Sequence, residues 1–130
     1  MRILLLNPPF LAKFSRPQRS PAVTKSGTLY FPMWLAYVTG VLGENGFDVD
    51  LIDAPADNYS IDDVIERTKK FQPSLIVLDT STPSIYNDVA VAGKLKEIYP
   101  SSFITLVGTH VSALPDETLN IDKRVDAIAR

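Results

Sequence analysis

The chain has 130 residues, 45% of them hydrophobic and 22% charged, which is the size and composition of one globular domain with a single core. It contains no cysteine and one histidine, so disulfides, thiolate nucleophiles, iron–sulfur clusters and multi-histidine metal sites are excluded within these residues. The net charge of −2 is uneven, because residues 1–43 hold five basic residues and no acid, whereas residues 44–130 hold eight basic and fifteen acidic residues.

Strand-like and helix-like segments alternate along the chain. The predicted strands are residues 2–7, 47–53, 75–79, 103–107 and 125–128, and the first and third are apolar almost throughout, as in strands buried on both faces. Helices are predicted after Pro32, Ser60, Ser84 and Pro115, with Ser60 and Asp63 spaced as a capping box and Gly46 placed to end the first helix.

This alternation predicts the fold class. Short strands joined by helices favour right-handed crossovers and a parallel sheet. We therefore expect residues 1–130 to form one flavodoxin-like, doubly wound α/β domain, with five parallel strands in the order 2-1-3-4-5 and helices on both faces.

The connection from about residue 8 to 31 is unusually long for such a domain. It contains Pro8, Pro9, Pro17, Pro21 and Gly27 and leaves the first strand at the edge where ligands bind. Long irregular connections in compact domains are usually functional or disordered. We expect a lid or a docking surface here.

Polar residues follow the third and fourth predicted strands. Because ligands of open α/β sheets bind at the carboxyl ends of the strands, these residues are candidates for a binding site. The candidates are Thr80, Ser81, Thr82 and Ser84 after the third strand, and Gly108, Thr109, His110 and Ser112 after the fourth. Alternatively, Ser84 caps its helix and the other hydroxyls satisfy the backbone of turns.

Several familiar sites are missing from the sequence. The first turn reads Asn-Pro-Pro-Phe, so neither a G-x-G-x-x-G fingerprint nor a Walker loop follows the first strand, and no G-x-S-x-G elbow occurs. A receiver domain has the same topology and needs an acidic cluster after the first strand. Asp79 ends the third strand, but that cluster is absent.

An ordered set of short blocks resembles the N-terminal cobalamin-binding domain of B12-dependent radical SAM enzymes. This family includes methyltransferases and the anaerobic magnesium-protoporphyrin monomethyl ester oxidative cyclase. The matching blocks are residues 3–9, 31–37, 46–49 with Asp53 and Ala54, 80–84, 107–110 and 115–119. Together they cover nearly the whole chain.

The resemblance implies that cobalamin is the cofactor and that its nucleotide tail lies against the sheet edge. The cofactor-binding residues would be Asn7, Pro8, Pro9, Thr80, Ser81, Thr82, Ser84, Gly108, Thr109, His110 and Ser112. The D-x-H-x-x-G motif of other corrinoid proteins is absent, so the first loop supplies no histidine to cobalt, and base-off cobalamin is expected. Thr109 stands where the family usually has the second glycine of a Gly-Gly pair. No catalytic or metal-ligating residue is predicted, and His110 either bonds the ligand or a neighbouring domain, or is simply a satisfied polar residue.

The resemblance also implies that this chain is the N-terminal domain of a longer enzyme. Its C-terminal radical SAM domain would be the partner, hold S-adenosylmethionine and a four-iron cluster, and carry out methyl transfer or oxidative cyclisation. An anionic small-molecule substrate would suit the basic residues Lys13, Arg16, Arg19 and Lys25, which otherwise form a solvated loop. The alternative is a non-catalytic flavodoxin-like interaction or regulatory module without a cofactor.

The sequence also bears on where the protein works. No apolar stretch approaches the roughly 20 residues of a membrane helix, and the N-terminus lacks the features of a signal peptide. Aromatic residues do not alternate with a basic stripe, so nucleic-acid binding is not expected. We expect a cytoplasmic protein without a membrane span.

Overall fold

A computed structural model describes residues 1–17 and 20–130. The strands are β1 (Arg2–Asn7), β2 (Phe14–Ser15), β3 (Ala22–Val23), β4 (Asp48–Asp53), β5 (Leu75–Thr80), β6 (Phe103–Gly108) and β7 (Ala127–Ile128). The helices are α1 (Met33–Glu44), α2 (Ala54–Asp57), α3 (Ile61–Phe71), α4 (Ile85–Ile98), α5 (Thr109–Ala113) and α6 (Pro115–Ile121), and a short 3-10 turn (Thr82–Ser84) precedes α4.

The predicted fold is confirmed. Five parallel strands form one sheet in the order β4-β1-β5-β6-β7, which is the 2-1-3-4-5 order when the two short strands of the long loop are left out. Those two strands, β2 and β3, pair with each other as a small antiparallel hairpin. The carboxyl ends of β1, β5 and β6 therefore lie side by side at one edge of the sheet.

The two faces of the sheet are covered to different extents. On one face, Leu4 and Leu6 of β1 join a large core that also contains residues of α3 and α4. On the other face, Ile3 and Leu5 pack with Leu35, which is the only residue of α1 that is buried. Successive strand residues point to opposite faces, so one apolar strand serves both layers.

Most local signals in the sequence predict the helix ends correctly. The Ser60 N–H donates to Asp63 Oδ2 at 2.8 Å, and the Asp63 N–H donates to Ser60 Oγ at 3.3 Å, which is a capping box. Gly46 follows α1 with a φ of +81°. The fifth strand is shorter than predicted and comprises only Ala127–Ile128, because the Ile104 N–H donates to Asp126 Oδ2 at 2.7 Å and not to a backbone carbonyl of that strand.

The expectation that Ser84 caps its helix with its side chain is wrong. Ser84 lies at the N-cap position of α4, but its hydroxyl donates to Asp88 Oδ2 at 2.6 Å and makes no cap bond. The hydroxyl is already occupied in both roles, since it donates to the Asp88 carboxylate and accepts a hydrogen bond from Arg16 Nε at 3.3 Å.

The long loop is folded onto the domain rather than extended from it. Phe14, Ser15 and Arg16 are all buried. The predicted basic residue Arg19 lies outside the described residues. Among the residues that are described, no helix has both the length and the apolar character that a membrane crossing requires.

Candidate ligand-binding site

A large cavity lies on the α1 side of the sheet. Its volume is about 1030 Å³, and we term it the sheet groove. It is lined by Trp34, Leu35, Val38 and Leu42 of α1, by Leu75, Val77 and Asp79 of β5, by Thr105, Val107 and Gly108 of β6, and by Thr109, Ser112, Ala113, Ala129 and Arg130. Alternate residues of β5 and β6 form its floor, because residues two apart in a strand share a face. The floor is mostly apolar.

A second cavity, the rim pocket, lies at the carboxyl edge of the sheet under the long loop. Its volume is about 370 Å³, and its walls come from the loop, α1 and the ends of β5 and β6. It shares five residues with the sheet groove, namely Trp34, Leu35, Asp79, Gly108 and Thr109. The two cavities are therefore neighbouring parts of one cleft that runs from the polar rim down the apolar face.

Gly108 lies opposite Thr80 where β5 and β6 reach this rim. Its φ is +120°, and a Cβ atom there would lie 2.4 Å from the backbone oxygen of Thr80. The Thr80 hydroxyl donates to the Val107 carbonyl at 2.7 Å and so ties the two strand ends together. Only glycine fits this position without displacing the rim.

A buried ion pair anchors the long loop beside the rim pocket. Arg16 Nη2 lies 2.8 Å from Asp88 Oδ1, and the two side chains are 1% and 0% exposed. The same guanidinium donates to Ser84 Oγ at 3.3 Å, to the Pro8 carbonyl at 2.9 Å and to Asn7 Oδ1. The charge of Arg16 is thus neutralised inside the protein. An anionic substrate near the exposed Lys13 and Lys25 stays a prediction.

Several predicted site residues belong to this buried network. The Ser81 and Ser84 hydroxyls are 2.6 Å apart, and Asn7 Nδ2 donates to Asp53 Oδ1 at 2.8 Å. Ser81 also lines the rim pocket, whereas Asn7 and Ser84 line neither cavity. Their polar atoms hold the loops together and are not presented to the cleft.

The remaining predicted residues are divided between the cleft and its surroundings. Thr80, Gly108, Thr109 and Ser112 line one or both cavities, although Ser112 donates its hydroxyl to the Gly108 carbonyl at 2.8 Å.

The other candidates lie beside the cleft. His110 is 8% exposed, and its Nδ1 lies 3.2 Å from the Thr82 hydroxyl. Pro8 and Pro9 offer their carbonyls to Arg16 and Asn87. None of these four predicted residues, Pro8, Pro9, Thr82 and His110, lines either cavity.

The sequence prediction missed most of the apolar lining of the cleft. Trp34, Val38, Val77 and Val107 were not among the candidate residues, and neither was Asp79. The available signal was the strand alternation, which places residues 75, 77 and 79 on one face together with 105 and 107.

Asp79 is a partly buried carboxylic acid that lines both cavities. Its Oδ1 accepts a hydrogen bond from the Thr80 N–H at 3.0 Å. Burial raises the pKa of Asp79 to about 6, while the positive charge of Arg16 opposes the shift and the negative charge of Asp88 adds to it. The cleft therefore contains an acid that changes its protonation state close to neutral pH.

The raised pKa predicts how the stability of the fold depends on pH. Between the ordinary pKa of 3.8 and the value of about 6, the folded protein binds more protons at Asp79 than the unfolded chain does, so this residue lowers the stability as pH rises. In Asp79→Asn this loss is absent. We expect the stability of the variant relative to the wild type to increase by up to about 3 kcal/mol between pH 4 and pH 7. Urea denaturation at both pH values measures the free energy of unfolding of the two proteins. An equal pH dependence of that free energy in the wild type and in Asp79→Asn would contradict a raised pKa of Asp79.

The described residues offer no ready-made metal site. No group of three or more His, Cys, Asp or Glu side chains within residues 1–17 and 20–130 is arranged to hold a metal ion. At the end of β1 the structure has Asn7, whose amide is bonded to Asp53 and Arg16, where a receiver domain needs acidic residues.

Comparison with known proteins identifies relatives. The profile of the B12 binding domain matches residues 19–130. An uncharacterized methyltransferase of Pyrococcus horikoshii is 30% identical over all 130 residues, which are 26% of that protein. The anaerobic magnesium-protoporphyrin IX monomethyl ester cyclases of Cereibacter sphaeroides and Rubrivivax gelatinosus are 30% and 31% identical over 100 residues, 76% of this chain and 16% and 18% of theirs. This chain thus spans about a quarter or less of the length of these relatives.

The similarity to a solved structure supports the fold and carries no argument about function. The response regulator protein TrrA of Thermotoga maritima, in complex with Mg²⁺ and BeF, superposes with a TM-score of 0.60 at 16% identity. The match covers 98% of this chain and 84% of that one.

Proposed function

Because this chain belongs to the B12 binding domain family, we propose that the cleft formed by the sheet groove and the rim pocket holds cobalamin. The nucleotide tail lies along the sheet groove, and the corrin lies above the carboxyl edge, near the turn that follows β1. The observation that carries this proposal is the continuity of the two cavities, which join a polar rim to an apolar floor.

The residues of the cleft fit the chemistry of a nucleotide tail. Val77 and Val107 offer a flat apolar floor for an aromatic base, and the indole of Trp34 forms a wall beside it. At the mouth, the exposed hydroxyl of Thr109 and the carboxyl of Asp79 are polar groups within the same lining. A few polar groups around an apolar pocket are typical of cofactor sites.

The chain's own residues support the binding of base-off cobalamin without a histidine from the first loop. The turn after β1 contains no histidine, and the single imidazole of the chain, His110, is bonded to Thr82. When bound, cobalamin supplies a cobalt centre that carries a methyl group or exchanges electrons. The role of these residues is to bind and orient the cofactor and to exclude water from its tail.

We further propose that the chain works as the N-terminal part of a longer cytoplasmic enzyme. The names of the relatives, a methyltransferase and two cyclases, support methyl transfer or oxidative cyclisation as the reaction. A C-terminal radical SAM domain with S-adenosylmethionine and a four-iron cluster would carry out the chemistry, since this chain has no cysteine to hold a cluster.

Titration with hydroxocobalamin tests the binding proposal. We expect saturable changes in the visible spectrum with base-off features. Val77→Trp fills the groove floor and is expected to weaken binding at least about tenfold, which is roughly 1.4 kcal/mol. Val41→Trp, at an exposed position of α1 outside the cleft, is the matched control and should bind like the wild type.

Two results would contradict the proposal. One is the absence of any saturable spectral change, which would favour an interaction module without a cofactor. The other is equal affinity of the wild type, the Val77→Trp variant and Thr109→Trp, whose added ring lies at the mouth of the cleft. Circular dichroism of each variant shows that the fold is retained.

A further inference from the structure

Asp79 lies where the two cavities of the cleft meet. It lines both the sheet groove and the rim pocket, together with Trp34, Leu35, Gly108 and Thr109. A Cβ atom at Gly108 would lie 3.1 Å from Asp79 Oδ1, so the missing side chain leaves room for the carboxyl group on the β6 side. Among the described residues that line the cleft, Asp79 is the single acid. A ligand that extends from the rim pocket into the sheet groove passes this carboxyl group.

Most hydroxyls near this junction are already engaged by the protein. Thr80 donates its hydroxyl to the Val107 carbonyl at 2.7 Å, and the hydroxyls of Ser81 and Ser84 are 2.6 Å apart. Asp79 Oδ1 accepts the Thr80 N–H at 3.0 Å, whereas no residue within 1–17 and 20–130 donates to Oδ2. The second oxygen of Asp79 is therefore available to a ligand.

Two charged groups face Asp79 from neighbouring elements. Arg16 of the long loop is positive and favours the carboxylate, whereas Asp88 of α4 is negative and favours the acid. These two side chains are bonded to each other at 2.8 Å, so their effects on Asp79 largely cancel. Strand β1, the other neighbour of β5, ends in the uncharged Asn7.

The rest of the cleft adds little charge at this position. The residues of α1, α5 and β6 that line it are uncharged, and Arg130 lines the sheet groove but not the rim pocket. Burial is therefore the dominant influence and raises the pKa of Asp79 to about 6. Near neutral pH, a small change in the surroundings decides whether this group is an acid or a carboxylate.

We propose that Asp79 contacts the phosphodiester of the nucleotide tail as the protonated acid, and that the domain takes up a proton when it binds cobalamin near neutral pH. This inference rests on the proposed function, from which it takes the position of the tail. With the base in the sheet groove and the corrin above the rim, the phosphodiester that links them crosses the junction of the two cavities.

The chemistry of the two groups fixes the direction of the effect. A phosphodiester is negatively charged and offers only acceptor oxygens. A carboxylate at Asp79 repels it, whereas a carboxylic acid donates a hydrogen bond to it. Burial beneath the cofactor removes water from the carboxyl group and also favours the acid. Asp79 thus makes the affinity for cobalamin depend on pH.

Titration with methylcobalamin at pH 5 and pH 8 tests the proposal, because the groups of this probe do not titrate in that range. Each unit by which the bound phosphodiester raises the pKa of Asp79 weakens binding tenfold once the free protein is ionised. We expect the wild type to bind at least about tenfold more weakly at pH 8 than at pH 5.

Asp79→Asn gives the sharper result, because its amide donates a hydrogen bond at every pH and carries no charge. We expect it to bind equally well at both pH values and severalfold more tightly than the wild type at pH 8. Asp116→Asn is the matched control, since this exposed residue of α6 lines neither cavity. It should keep the pH dependence of the wild type, and circular dichroism shows that each protein is folded.

Calorimetry of the wild type measures the proton directly and does not depend on whether a variant folds. Methylcobalamin is titrated near pH 7 in buffers that differ in their heat of ionisation. The slope of the binding heat against that heat gives the number of protons exchanged, and we expect an uptake that approaches about one proton per cobalamin. No uptake would overturn the inference.

Two results of the titrations would also overturn it. Affinity that rises with pH, with weaker binding by Asp79→Asn, would show that a carboxylate accepts a hydrogen bond from the ligand. A pH dependence that persists in Asp79→Asn would assign the effect to another group. Binding that is independent of pH refutes this inference alone, whereas the absence of binding at both pH values refutes the proposed function and this inference with it.

Discussion

Arg16→Met is expected to destabilise the fold by about 3 to 5 kcal/mol, because it leaves the carboxylate of Asp88 buried without its partner. The Asp88 side chain is fully buried, and Arg16 Nη2 is its nearest cation at 2.8 Å. The same change removes the hydrogen bonds that Arg16 donates to Asn7 and Pro8 at the turn after β1. Urea denaturation followed by circular dichroism measures the loss.

Two further variants make this expectation specific. Arg67→Met breaks the Arg67–Asp50 pair, whose side chains are 38% and 22% exposed, and should cost less than about 1 kcal/mol. The double variant Arg16→Met with Asp88→Leu should recover much of the loss, since no charge is left buried. If Arg16→Met and Arg67→Met unfold at the same urea concentration, the buried pair does not hold the loop in place.

Gly108→Ala is expected to damage both the stability of the rim and the affinity for cobalamin. At a φ of +120° the backbone alone costs a residue with a side chain about 1 to 3 kcal/mol. The new Cβ would also lie 2.4 Å from the Thr80 carbonyl oxygen and force β5 and β6 apart where the cleft begins. Urea denaturation and titration with hydroxocobalamin measure the two effects.

Gly40→Ala is the matched control for this substitution. No atom lies within 4 Å of a Cβ atom at Gly40, which is in the interior of α1. Alanine favours a helix interior over glycine by roughly 0.5 to 1 kcal/mol, so this variant should be slightly more stable than the wild type. Equal losses in Gly40→Ala and Gly108→Ala would show that the rim geometry is not the cause.

The fold was largely predictable from the sequence because its signals are local. The apolar runs of β1 and β5, the capping box at Ser60 and the position of Gly46 each depend on neighbours in the chain. Alternating strands and helices then leave few topologies. The observed order of the five strands is one of the few that these rules allow.

The site was less predictable because its contacts join distant segments. Arg16 and Asp88 are 72 positions apart, so nothing near Arg16 indicates that its charge is neutralised inside the protein. Ser84 was expected to cap a helix, but Arg16 and Asp88 lie around it and direct its hydroxyl elsewhere. Val77 was expected to be fully buried as part of an apolar run, yet its exposure depends on what covers the sheet.

The separation between Arg16 and Asp88 has a consequence for the order of events in folding and in ligand entry. The walls that Arg16 and Pro17 give to the rim pocket are held by a contact that no local segment can make, and it spans as much sequence as the pairing of β1 with β5, in which Ile3 lies opposite Leu75. We therefore expect these walls to form together with that strand pairing and not before it. In reverse, detaching the hairpin of β2 and β3 would cost more than this ion pair and its hydrogen bonds, because Phe14 and Ser15 are buried as well. A ligand that enters the rim pocket therefore meets a wall that is held as part of the folded domain.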